Sequence, residues 1–115
     1  MCGFNITDKE KNMYIFNTTF LVSPSVYDKW QIWLNDSYCQ GIANLSLTEG
    51  VELFEVMNAH EDGNRTFSVQ WRCLSPEHLE SVNEVSDDLC GSLMTHFGED
   101  CLFFSSILVK KPISE

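Results

Sequence analysis

The 115-residue chain holds three histidines and five cysteines, the first places to look for chemistry. His60 falls in an expected hairpin turn, while His78 and His96 fall at opposite ends of one expected helix, so no two imidazoles converge. None stands at the i, i+4 spacing that sets two ligands on one helix face, and no Asp or Glu completes a metal triad. We expect no metal and no cofactor. His96, in a last helical turn, is accounted for by the negative helix end. Cys2, Cys39, Cys73, Cys90 and Cys101 are odd in number and nowhere spaced as Cys-x-x-Cys, so neither a disulfide framework nor a zinc site is indicated. With no basic neighbour to lower a thiol pKa, Cys73 and Cys101 read as buried apolar fillers. A Gly-rich phosphate loop, a nucleophile elbow and a zincin helix are all missing from the sequence.

One constellation remains. In "TFSVQWRC", Thr66 to Cys73, Phe67, Val69, Trp71 and Cys73 fall on one side of a strand and Thr66, Ser68, Gln70 and Arg72 on the other. Joined by Asn17, Thr19 and Glu55, this second side carries directional hydrogen-bonding groups and one fixed cation. Read as a pocket, Arg72 meets an anionic group of a small-molecule ligand while Asn17 and Gln70 orient it. Read as an interface, the same six residues, Asn17, Thr19, Glu55, Ser68, Gln70 and Arg72, form a satisfied polar network that sets register between two copies. The interface reading is the expectation. Trp30, Trp33 and Tyr38 could line a flat aromatic site, but aromatic residues at helical spacing more often pack on a sheet.

The elements that position these residues follow from period and punctuation. Residues 1–12 show no period and are expected to be a flexible tail, with Met13 as an alternative start; residues 112–115 form the other tail. From Tyr14, alternation over "YIFNTTFLV" predicts a strand with Phe16 and Phe20 on one face and Ile15, Asn17, Thr19 and Leu21 on the other. A Ser25–Asp28 capping box is expected to open a helix running through Trp30, Trp33 and Tyr38 to Gly41. "VELFEVMNA" reads as the second strand, and Asp62-Gly63 as a tight turn into the third. Ser75, Pro76 and Glu77 then start a helix with a stripe of Leu79, Val82, Val85, Leu89, Leu93 and Phe97, closed by Gly98. "CLFFSSILV" is the last strand, apolar on both faces, and "KKP" after it is expected to blunt further pairing.

The order β-α-β-β-α-β predicts an α+β ferredoxin-like sandwich over residues 13–111, a four-stranded antiparallel sheet with both helices on one face. Strands one and three lie centrally, and right-handed crossovers turn Phe16, Phe20, Phe67, Val69 and Trp71 toward the helices. A two-residue turn at Asp62-Gly63 would set Phe54 opposite Trp71, Val56 opposite Val69 and Asn58 opposite Phe67. Leu53, Glu55 and Met57 would then share the outer face with Arg72, and Glu55 would pair diagonally with it.

Composition narrows the classes. Hydrophobic residues make up 43% and charged residues 21%, as in a globular domain, and no apolar run approaches the roughly 20 residues that cross a bilayer. Without a secretion-type leader, the cytoplasm is the expected location, and the Asn-x-Ser/Thr triplets are incidental. A net charge of −10, with only Lys110 and Lys111 adjacent, argues against nucleic acid and anionic membrane as partners.

"MYIFNTTFLVSPSVYDKWQIWL", "TFSVQW" and "HFGEDCLFFSSILV" resemble a family of short, uncharacterised bacterial proteins over Met13 to about Lys111. That family resembles in turn the dimeric α+β barrels, which include cofactor-free monooxygenases and haem-degrading enzymes, a link of fold alone. Where its members carry His-Ile-Pro after the first helix, this chain has "SYCQGIAN", with Tyr38 or Cys39 near the histidine position, so chemistry resting on that histidine would be lost or altered here. The expectation is a non-catalytic homodimeric binding or interaction module. The alternative is a cofactor-free, monooxygenase-like enzyme acting on a small aromatic or anionic molecule.

Overall fold

A computed structural model describes residues 13–57 and 63–113 of the chain. Four strands, β1 (Tyr14–Val22), β2 (Thr48–Val56), β3 (Arg65–Cys73) and β4 (Cys101–Val109), form one antiparallel sheet in the order β2-β3-β1-β4. The helices are α1 (Tyr27–Trp33), α2 (Gln40–Ala43), α3 (Pro76–Gly91) and α4 (Leu93–Phe97). This is the ferredoxin-like sandwich expected from the β-α-β-β-α-β order. Among the described residues, no helix is long and apolar enough to cross a membrane.

The core lies between the central strands and the helices. Phe16, Phe20, Val22, Phe67, Val69 and Trp71 from the sheet meet Trp30, Trp33, Leu34, Tyr38, Ile42, Val82, Cys90 and Leu93, all buried. Rings supply much of the contact: Trp30 stacks on Phe67 at 4.8 Å between centroids, and Phe20 meets Tyr38 edge-on at 5.6 Å. Such arrangements suit the ring quadrupoles and add to plain burial.

The first helical segment departs from the expected single helix. Ser23, not Ser25, stands at the N-cap position of a short 3-10 turn over Pro24–Val26, and its hydroxyl meets Ser25 at 3.2 Å instead of bonding a backbone N–H of the turn. Between α1 and α2, residues Leu34–Cys39 form a π-helical turn. Leu34 and Tyr38, four residues apart, are both buried within this turn. In the second segment Ser75 caps α3 as expected, accepting from the His78 backbone N–H at 3.1 Å. The helix is interrupted at Ser92, whose hydroxyl donates to the Leu89 carbonyl at 2.8 Å, and resumes as α4. Gly98 follows at φ +59, a conformation that favours glycine.

The β2–β3 register differs from expectation by three residues. Val51, not Phe54, lies opposite Trp71, Leu53 lies opposite Val69, and Glu55 lies opposite Phe67. An odd shift exchanges the two faces of β2. The described strands end at Val56 and resume at Arg65; Asn58, His60 and Asp62, on which the expected turn and its pairing fall, lie outside the described residues. Burial could not have fixed this register, because Val51, Leu53 and Phe54 are all exposed on this edge strand. Ion pairs and a bulge hold it instead. The pairing is irregular between Thr48 and Val51, and Gly50 there has φ +146, open to glycine alone without strain.

Candidate functional site

The face of the sheet away from the helices is built from alternate residues of all four strands. β1 contributes Ile15, Asn17, Thr19 and Leu21; β3 contributes Thr66, Ser68, Gln70 and Arg72. The registers set Glu52, Phe54 and Val56 of β2 and Leu102, Phe104, Ser106 and Leu108 of β4 beside them. Five of the six expected site residues, Asn17, Thr19, Ser68, Gln70 and Arg72, therefore share this face. Glu55 does not: the register turns it to the helix side, beside Phe67. The expected Glu55–Arg72 pair is corrected accordingly, since Arg72 meets Glu52 at 3.3 Å.

Glu55 has a different task. It accepts two hydrogen bonds from Arg65, from Nε at 2.9 Å and Nη2 at 3.0 Å, in the bidentate geometry that suits a guanidinium. The Arg65 guanidinium also lies over the Tyr27 ring, 4.2 Å from its centroid. The hydrogen bond to Glu55 holds Arg65 in its charged form, above even the usual arginine range. These contacts pin β2 and β3 to the start of α1, a structural use that accounts for the charge without a ligand.

On the open face, hydrogen bonds run across three strands. Gln70 Nε2 donates to Ser68 Oγ at 3.2 Å, and Ser68 Oγ donates to Asn17 Oδ1. Asn17 Nδ2 then donates to Thr19 Oγ1 at 3.1 Å and Ser106 Oγ at 3.3 Å. Although no helix covers this face, Asn17 is only 8% exposed and Ser68 9%. Phe54 and Phe104, by contrast, are 46% and 63% exposed beside them. A hollow of about 300 Å³ does exist, but Thr19, Leu21, Thr66, Leu102, Phe103 and Phe104 line it rather than Asn17, Gln70 and Arg72. Ser106, Glu52, Phe54 and Phe104 were missed in the sequence because strand pairing, not local pattern, brings them here.

The helix side offers little free chemistry. Tyr38 is wholly buried, its hydroxyl within 3.0 Å of Thr18 Oγ1 and 2.8 Å of Ser86 Oγ. Burial pushes its pKa up to about 12, with the Ser86 and Thr18 hydrogen bonds pulling the other way. Burial likewise raises the Cys73 thiol and pushes Cys90 and Cys101 up to about 12, opposite to what a nucleophilic thiolate needs. Trp30 and Trp33 are consumed by ring packing around Phe20. Among the described residues, no group of three His, Cys, Asp or Glu side chains is placed to hold a metal ion.

An antiparallel four-stranded sheet with helices on one face and a polar-centred, apolar-rimmed opposite face defines a ferredoxin-like α+β domain. The chain belongs to the DUF4286 family, a domain of unknown function, whose model matches residues 13–111. No curated protein matches it. Among solved structures it is similar to a dimeric ferredoxin-like protein from an uncultured marine organism, at 8% identity and TM-score 0.68, over 89% of this chain and 98% of that one. It is also similar to a conserved protein of unknown function, a possible oxidoreductase, from Bacteroides thetaiotaomicron, at 11% identity and TM-score 0.62 over 87% and 99%. A putative antibiotic biosynthesis monooxygenase from Bacillus cereus is similar at 15% identity and TM-score 0.58 over 90% and 98%. At such identities the likeness is one of fold.

Proposed function

We propose that this domain is a non-catalytic homodimeric interaction module whose two copies meet through the open faces of their sheets. The observation that carries the reading is the contrast on that face between a closed hydrogen-bonded row through Gln70, Ser68 and Asn17 and the exposed rings of Phe54 and Phe104 around it. Groups already bonded to one another add specificity without an unmet polar demand, while the rings supply area to bury. Strands of this length and spacing give a face of roughly 30 by 19 Å. With side-chain relief, that is the scale of the roughly 800 Å² per partner typical of stable interfaces.

Two-fold pairing of such a face is self-complementary in charge, because Arg72 and Glu52 stand side by side on it. The dimeric state of the marine relative agrees with this reading. Sedimentation velocity across a range of concentrations tests it. The native chain is expected to self-associate, and Phe54→Glu to weaken that association by at least about tenfold, as burying an unpaired carboxylate demands. Unchanged association in Phe54→Glu would overturn the face-to-face arrangement.

A further inference from the structure

Strand β4 presents a problem that a face-to-face dimer does not solve. Leu102, Phe104 and Leu108 lie on the open face, but Phe103, Ile107 and Val109 point to the helix side and are 37%, 50% and 42% exposed as well. The strand is an edge: β1 pairs with one side of it, and no described strand pairs with the other. An exposed apolar edge of this length invites another strand.

The segment from Glu99 to Lys111 reads as its own complement when laid antiparallel on a copy of itself about Ser105. Leu102 then stands opposite Leu108, Phe103 opposite Ile107, and Cys101 opposite Val109. Beyond the apolar pairs, Asp100 stands opposite Lys110 and Glu99 opposite Lys111. These four charged side chains are exposed. The only adjacent lysines in the chain thus sit where the copy carries adjacent carboxylates. Pro112, which has no N–H to donate, ends the match.

Geometry supports the same register. Two antiparallel copies of one edge strand are related by a two-fold axis perpendicular to the sheet, which keeps each residue on its own face and so allows only pairs of like parity. Every pair centred on Ser105 satisfies that condition. Backbone groups turned away from β1 alternate along β4, so outward-facing residues meet outward-facing residues in this register.

We infer that the free edge of β4 is a second self-association site, at which two copies pair β4 against β4 about Ser105 and join their sheets into one of eight strands. The lysines that the sequence suggests as a block to pairing become its register marks. This axis stands perpendicular to the sheet, whereas a face-to-face axis lies parallel to it. The edge contact uses no residue of β2 and stands independently of the face-to-face reading.

The test uses the full chain carrying Phe54→Glu, so that the face contact is weakened. Adding Ser105→Cys places a cysteine opposite itself, at a Cα separation of roughly 4.5 to 5.5 Å, within the disulfide range. Mild oxidation is expected to give a covalent dimer that the same chain with Ser105 does not give. A face-to-face contact cannot yield that product, since residue 105 points to the helix side. Absence of the cross-link would overturn the proposal.

Charge variants supply a second reading that leaves the core untouched. Lys110→Glu with Lys111→Glu, or Glu99→Lys with Asp100→Lys, should each weaken edge association by about tenfold through like-charge contacts. The fourfold exchange, which keeps the native net charge, should restore it. Failure of the fourfold exchange to restore association would also overturn the register.

Discussion

Thr18 and its neighbours Asn17 and Thr19 are adjacent on β1 yet belong to two different polar networks. Thr18 points under the helices, where its hydroxyl joins Tyr38 and, through Tyr38, Ser86; a further hydrogen bond at 3.1 Å reaches Ser105 on the edge. Asn17 and Thr19 point the other way and join Ser68, Gln70 and Ser106. Within the first network Thr18, Tyr38 and Ser86 link sheet to helix and are buried, so these three depend on one another, and only Ser105 at the edge is exposed. The second links strand to strand on an uncovered face. Burial by the domain itself gives hydroxyl groups a role in folding, whereas the same chemistry one residue along lies on a face that no helix of the domain covers.

The largest effect expected from this contrast is that of Tyr38→Ala. It should cost the monomer about 3 to 5 kcal/mol, as loss of a buried ring does, while Asn17→Ala costs about 1 kcal/mol or less. Denaturant titration of both variants checks the difference, and equal losses would break the comparison. Tyr38→Phe keeps the ring but strips the buried hydroxyls of Thr18 and Ser86 of a partner, and is expected to cost about 1 to 3 kcal/mol.

The sealed network also has a pH signature. Tyr38 is held neutral in the folded state, its pKa raised from 10.0 to about 12. The unfolded chain therefore loses this proton first as pH rises. The contribution is complete below pH 10 and is lost as pH rises to about 12. Cys90 and Cys101, raised from 9.0 to about 12, act in the same direction from pH 9 upward. Stability measured against pH should fall over that window, and Tyr38→Phe should flatten the part above pH 10.

Smaller effects belong to the open face. Gln70→Ala should leave monomer stability nearly unchanged but weaken self-association by about fivefold, near 1 kcal/mol for one lost hydrogen bond at an interface. Paired sedimentation and unfolding measurements separate the two outcomes. Arg72→Ala should change monomer stability least, by about 0.5 kcal/mol or less, because its ion pair with Glu52 is half exposed on both sides.

Of the candidate face, the β1 and β3 residues were legible and the β2 and β4 residues were not. Asn17, Thr19, Ser68, Gln70 and Arg72 sit on strands whose opposite faces are strongly apolar, so period alone assigns them outward. Glu55 was misplaced because β2 is an edge strand with apolar residues on both faces, and a favourable apolar match supported a register that the protein does not adopt. Its true partner, Arg65, carries no local signal, since a bidentate ion pair across a hairpin becomes visible only once the register is known. Helical spacing had already set Tyr38 on the inward side, but the π-helical turn over Leu34–Cys39 was hidden, since regular helical spacing assumes a constant pitch.

The sequence by itself determined the order of elements, the central strands, the core residues they contribute and the cap at Ser75, because each rests on short-range periodicity or on a local hydrogen bond. Tertiary structure decided which faces of β2 and β4 point where, and which side chains complete the polar row. Those choices rest on pairing between strands, and on the edge strand β2, exposed on both faces, it is ion pairs and a bulge rather than burial that hold the register.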